Sequence, residues 1–178
     1  HGSGSSRLSP RNRVVAEALR AGGLGTLLFD LLTEREDQDY QRRFDIALLT
    51  QRLVGATRWL KERPEAQRLK LGYFGASTGA AAALFAAAEL GADIGAIVSR
   101  GGRPDLAAPA LPLVQAPTLL IVGGDDHGVI ELNRDAYDRL AATKHLSIIA
   151  GATHLFEEPG ALEEVSRLAL DWFRKHLG

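Results

Sequence analysis

The stretch Leu69-Lys70-Leu71-Gly72-Tyr73-Phe74-Gly75-Ala76-Ser77-Thr78-Gly79-Ala80-Ala81-Ala82-Ala83-Leu84 decides how the chain is read. Its first part, Leu69 to Phe74, is apolar and short enough for a strand buried on both faces. Its last part opens a helix of small residues from Thr78 to Leu90. Between them, Gly75-Ala76-Ser77-Thr78-Gly79 forms a Gly-x-Ser-x-Gly pentapeptide. In that position a serine sits on a sharp strand-to-helix turn. A side chain two residues to either side would collide with the turn, which accounts for both glycines.

The same alternation continues outward. Downstream, Ile94–Ser99, Thr118–Val122 and Leu146–Ile149 read as strands, with helices over Ile130–Ala142 and Pro159–Leu177. Arg100 to Gln115 is a loop with three prolines. Upstream, a helix from Phe44 to about Arg63 carries Ile46, Leu49, Leu53, Trp59 and Leu60 at helical spacing, and Pro64 stops it. Glu34–Arg43 is a charged surface loop, and Gly25–Leu32 reads as another buried strand. Before it, Asn12 caps a helix to about Ala21 with Val14, Val15, Ala18 and Leu19 on one face, ended by Gly22-Gly23. Five continuous apolar strands alternating with helices predict an α/β fold with a mostly parallel sheet and helices on both faces. Residues 1–178 are read as one domain.

Composition narrows the function. The chain is 46% hydrophobic, enough for a core, and its net charge of −1 argues against nucleic acid as a partner. No apolar run reaches membrane-spanning length, so no membrane partner is expected. The absence of cysteine excludes disulfides, thiolate metal sites and a cysteine nucleophile. The absence of methionine implies a processed or cut chain, and with no signal peptide visible the expected location is cytoplasmic.

In a parallel sheet, ligands sit at the carboxyl ends of the strands. Ser77 follows one strand, but a serine hydroxyl needs a base to take its proton. Of the five histidines, His176 lies in the last helical turn, where a cation suits the helix dipole. His145 precedes a strand, and His127 follows one beside two aspartates. His154, on the loop after the final strand, reaches the same edge as Ser77. A carboxylate must orient the imidazole, and Asp125 or Asp126 in Gly123-Gly124-Asp125-Asp126 is placed to do so. The order Ser, Asp, His along the chain is that of the α/β-hydrolases. The backbone N–H of Thr78 supplies one oxyanion donor. His1–Pro10 alone could be a flexible leader, but His1-Gly2-Ser3-Gly4 has the form of an H-G-x-G oxyanion loop, with Gly2 or Ser3 as the second donor.

These stretches resemble a serine α/β-hydrolase of the dienelactone hydrolase-like family. The matching segments are His1–Arg11, Gly72–Leu84, Ser99–Asp105, Leu120–Leu132 and Gly151–Pro159, which cover the chain nearly end to end. The resemblance implies Ser77 as nucleophile, Asp126 as acid, His154 as base, and no cofactor or metal. Well-known dienelactone hydrolases carry cysteine where this chain has Ser77, which favours general cleavage of small carboxylic esters or lactones. The family's oxyanion loop follows a central strand, whereas this chain begins at the loop. The missing strand would lie between Thr26–Leu32 and Leu69–Phe74. Those two would otherwise stand about 10 Å apart, twice the usual strand spacing. An upstream segment that completes the sheet is therefore expected.

Arg100 and Arg103 follow the strand Ile94–Ser99. Either they hold a substrate carboxylate or phosphate, or they pair with Asp105 or Asp93 and shape the loop. No long insertion separates Leu90 from Thr118, so no large cap domain is expected and the site should be open. A non-catalytic binding or partner domain of the same fold is the alternative reading, and acyl transfer to an acceptor other than water is a third.

Overall fold

The computed structural model describes residues 1–178. Four strands form one parallel sheet in the order β1 (Leu71–Ala76), β2 (Ile94–Arg100), β3 (Thr118–Gly123) and β4 (Lys144–Ile149). The helices are α1 (Pro10–Ala21), a single turn α2 (Glu34–Asp37), α3 (Ile46–Lys61), α4 (Thr78–Leu90), α5 (His127–Arg139) and α6 (Ala161–Leu177). α4 and α5 cover one face of the sheet, with α3 packed on α4, while α1 and α6 cover the other. Only 3-10 turns, Pro104–Ala107 and Leu111–Leu113, interrupt the connection from β2 to β3.

The strand period of two sends neighbouring residues to opposite layers. Ile97 and Leu120 join Leu84, Leu111 and Leu140 on the α4 side. Val98, Leu119 and Ile121 join Val15, Phe156, Val165 and Phe173 on the α6 side. Both layers are fully buried, as expected for strands that read as unbroken apolar runs. Ala80 to Ala83 are buried to within 1%. Their small side chains let α4 lie directly on the sheet, and this fixes where α4 begins.

Several boundaries move. β1 starts at Leu71, two residues later than the sequence pattern suggests, and α5 starts at His127 rather than Ile130. Ser9 is the N-cap of α1, and Asn12 lies inside the first turn because Pro10 takes the first helical position. Glu34–Asp37 is a helical turn closed by a capping box between Thr33 and Glu36, where a loop was expected.

The predicted strand Gly25–Leu32 does not form. No backbone N–H from Gly25 to Asp30 finds an acceptor. A strand exists only through a hydrogen-bonded neighbour, and this segment has none. Instead a groove of about 730 Å³ separates it from β1, whose edge facing away from β2 is unpaired. The segment is held at its far end, where Asp30 takes the backbone N–H and guanidinium of Arg7, and the Leu31 N–H donates to His1.

Leu84 is completely buried between α4 and the sheet. Leu84→Ala should lower the unfolding free energy by about 2–5 kcal/mol, measured by urea denaturation. A loss well under that range would mean that this layer collapses around the cavity.

Candidate active site

Ser77 has φ 49° and ψ −121°, one of two non-glycine residues with positive φ. Such a conformation costs on the order of 1–3 kcal/mol and persists only when its surroundings impose it. They do so from both sides. A Cβ on Gly75 would stand 2.6 Å from the Ala80 Cα, so the strand can turn this tightly into α4 only at glycine. A Cβ on Gly79 would collide with the His1 carbonyl, and one on Gly2 would stand 2.8 Å from the Ser77 Cβ. The His1–Gly2 backbone therefore lies across the turn, against the serine.

His1 holds that backbone down. Its side chain is 8% exposed, its Nε2 accepts the Leu31 N–H at 2.9 Å, and its Nδ1 lies 3.0 Å from the Gly2 carbonyl. The ring is therefore the tautomer that donates from Nδ1. The Ser5 N–H donates to the Gly2 carbonyl and closes the loop as a turn. The backbone N–H groups of Gly2, Ser3 and Thr78 have no acceptor within the protein. Gly2 is beside Ser77, whereas Ser3, one residue on, is exposed.

The loop after β4 brings in the histidine. Gly123 and Gly124 allow residues 150–153 to cross directly over the end of β3, where a side chain on Gly123 would collide with the Ala152 carbonyl. The Gly124 and Asp125 N–H groups bond Ile149 and Ala152 across this crossing. His154 Nδ1 then lies 2.6 Å from Asp126 Oδ2, with Asp126 17% and His154 40% exposed. Asp125 is exposed and has no side-chain partner. The choice that the residues alone left open thus falls to Asp126. Ser77 Oγ makes no hydrogen bond to His154 in this arrangement, and such bonds often tighten only when substrate binds. No cluster of three or more His, Asp or Glu side chains is placed to hold a metal.

The other histidines stay away from the turn. His127 and His145 are exposed, and His176 packs its ring 4.5 Å from Trp172. Burial, and then the Lys175 charge, lowers the His176 pKa.

The two arginines part company. Arg103 grips Asp105 through two hydrogen bonds at 2.9 and 2.7 Å, which raises its pKa, and only its backbone touches the turn, donating to the Ser77 carbonyl. It has the loop-shaping role of the two considered. Arg100 has no carboxylate partner. It is 8% exposed and lies 5.9 Å from the Phe74 ring, with Nη2 3.5 Å from Asn12 Oδ1.

Three contributors were not found from the sequence. His1 was read only as part of a loop. Asn12 Nδ2 donates to the Ser5 hydroxyl and Ser6 carbonyl, tying the loop that follows Gly2 to α1. Asn133, fully buried on α5, donates to the Gly102 carbonyl and holds the loop after β2. Its place in a helical apolar face, where a polar residue needs a partner, was the available signal.

This fold, with a serine at the turn after β1 and a His–Asp pair on the loops after β4 and β3, is that of the α/β-hydrolases. Residues 25–177 match the dienelactone hydrolase family, and the chain belongs to that family, one of hydrolases. It is 61% identical to a dienelactone hydrolase from Anabaena variabilis, with a TM-score of 0.96 over 100% of this chain and 84% of that one. Est1E from Butyrivibrio proteoclasticus shares the fold at 15% identity, with a TM-score of 0.83 over 98% of this chain and 85% of that one. The chain is also 57% identical, over 99% of its length, to a Mycobacterium tuberculosis protein named "putative phosphoribosyl transferase", of which it spans 40%.

Replacing an open helical glycine by alanine normally stabilises a protein by up to about 1 kcal/mol. Gly79→Ala should instead destabilise by about 1–3 kcal/mol in urea, because its methyl displaces His1. A gain would show that the His1–Gly2 crossing is not held against α4.

Proposed function

We propose that this domain is a serine hydrolase that cleaves small carboxylic esters or lactones through an acyl-enzyme, with no cofactor. The observation that carries the reading is the strained Ser77 with the Gly2 backbone on one side, and the Asp126–His154 pair after β3 and β4 on the same edge of the sheet. In this reading Ser77 Oγ attacks the carbonyl carbon and His154 Nε2 takes its proton. The carbonyl oxygen becomes an oxyanion, which the Thr78 N–H and the Gly2 and Ser3 N–H groups bind. When the tetrahedral intermediate collapses, the C–O bond to the leaving alcohol breaks and His154 returns the proton to that oxygen. Water then attacks the acyl-enzyme, losing a proton to His154. The acid departs, and Ser77 recovers its hydrogen. Asp126 accepts the Nδ1–H, sets the tautomer and stabilises the imidazolium. The short β2–β3 connection leaves the site uncapped, which suits compact substrates. The mycobacterial relative's name covers a protein of which this chain matches 40%, and the hydrolytic reading proposed here is of this domain alone.

Ser77 should take one fluorophosphonate adduct, seen by intact mass on the full-length protein and absent from Ser77→Ala. Asp126→Asn should lower p-nitrophenyl acetate turnover by about 10⁴-fold, while Asp125→Asn leaves it near the parent. No adduct on folded protein would instead support the non-catalytic reading.

The groove beside β1 bears on the working form. It is lined largely by apolar residues and runs from Leu69–Leu71 at one end to His1, Ala76 and Gly79 at the other. A segment leaving it at the second end meets His1. We propose that an upstream segment, joined to His1, fills it as a strand parallel to β1. Hydrogen exchange on the full-length protein should then show the free-edge amides of Leu71–Ala76 protected as strongly as those facing β2. Rapid exchange of that edge would contradict this placement.

A further inference from the structure

Arg100 presents an unusual electrostatic situation. The residue is 8% exposed, and its Nη1 is buried with no hydrogen-bond partner. Its one polar contact is the long approach to Asn12, and a second cation, Arg11, stands close enough to lower its pKa, after burial, to about 10. A buried charge is normally paired, because removing it from water without a counterion costs several kcal/mol.

The first turn of α1 lies against this guanidinium. The Ser9 side chain makes no cap, the first turn carries no acidic residue, and Pro10 has no N–H to offer. The backbone N–H groups of Arg11 and Asn12 have no acceptor in the protein. Arg11 Nε is also buried without a partner, although Arg11 Nη1 meets the exposed Glu157. Unpaired amides at a helix start favour an anion, and here Arg11, on this turn, and Arg100, in contact with Asn12, each carry an unpartnered donor.

We propose that the first turn of α1, with Arg11 and Arg100, is a binding site for a small oxyanion, either a phosphate or a carboxylate. The donors would be the Arg11 and Asn12 N–H groups, Arg11 Nε and Arg100 Nη1. Asn12 is already occupied, holding Arg100 with its Oδ1 and the loop that follows Gly2 with its Nδ2. The site adjoins the catalytic turn through the backbone, since the Ser77 N–H donates to the Arg100 carbonyl. It is nonetheless separate from the triad, and it stands whether or not the domain hydrolyses esters.

The test is thermal unfolding of the full-length protein in sodium phosphate against sodium chloride at equal ionic strength. Phosphate should raise the midpoint by about 3–6 °C for each tenfold increase above its dissociation constant. Arg100→Gln and Arg11→Gln should abolish that rise, and Arg103→Gln should keep it. In chloride alone, Arg100→Gln should be at least as stable as the parent, because the removed cation has no partner there. If Arg100→Gln does not fold, the half-buried Arg11→Gln decides. A parallel acetate titration separates the sources: a steeper rise with acetate assigns a carboxylate, and a steeper rise with phosphate assigns a phosphate. Equal midpoints in chloride, phosphate and acetate, or a phosphate rise that survives in both variants, would overturn the proposal.

Discussion

The backbone of His1 and Gly2 crosses the strand-to-helix turn at Ser77 at a distance that only glycines permit. Gly79 leaves room for the His1 carbonyl, and Gly2 leaves room for Ser77 itself. Everything at the site refers to this crossing. It confines the strained serine, brings the Gly2 N–H beside it, and depends on the His1 ring bonding to Leu31 across the top of the groove. The sheet supplies the other half. The in-register ends of β1, β2 and β3 bring Ala76, Arg100 and Ile121 side by side, so the turns that follow them share one edge.

The second constraint is the seam between the turn after β3 and the loop after β4. Here too a glycine, Gly123, admits a crossing backbone, and the main-chain bonds of Gly124 and Asp125 fix its height. The His154–Asp126 contact follows from that seam. Asp126 can orient the ring because it is the residue at the N-cap of α5, while Asp125 turns to solvent.

Much of this was legible in the sequence because it rests on short-range rules. Gly-x-Ser-x-Gly between an apolar run and a small-residue helix marks the turn, and continuous apolar strands mark a sheet buried on both faces. What failed rests on partners that a local pattern does not contain. Thr26–Leu32 has a strand's composition but lacks a strand beside it. The two arginines look alike in sequence, yet one has Asp105 two residues away and the other is turned beneath α1 with no acid near. The residues around Asp125 and Asp126 left the choice between them open, since either could face the ring until the seam was seen. His1 was assigned to the right loop, but its bond to Leu31 spans 30 residues.

The central claim is that the His1–Gly2 crossing and the start of α4 together form the pocket for a developing oxyanion. A crystal structure of the full-length protein with a phosphonate covalently bound to Ser77 addresses it most directly. The account predicts the phosphonyl oxygen about 2.7–3.1 Å from the Thr78 N–H and from that of Gly2 or Ser3. An adduct whose oxygen points to solvent, away from both backbones, would contradict it.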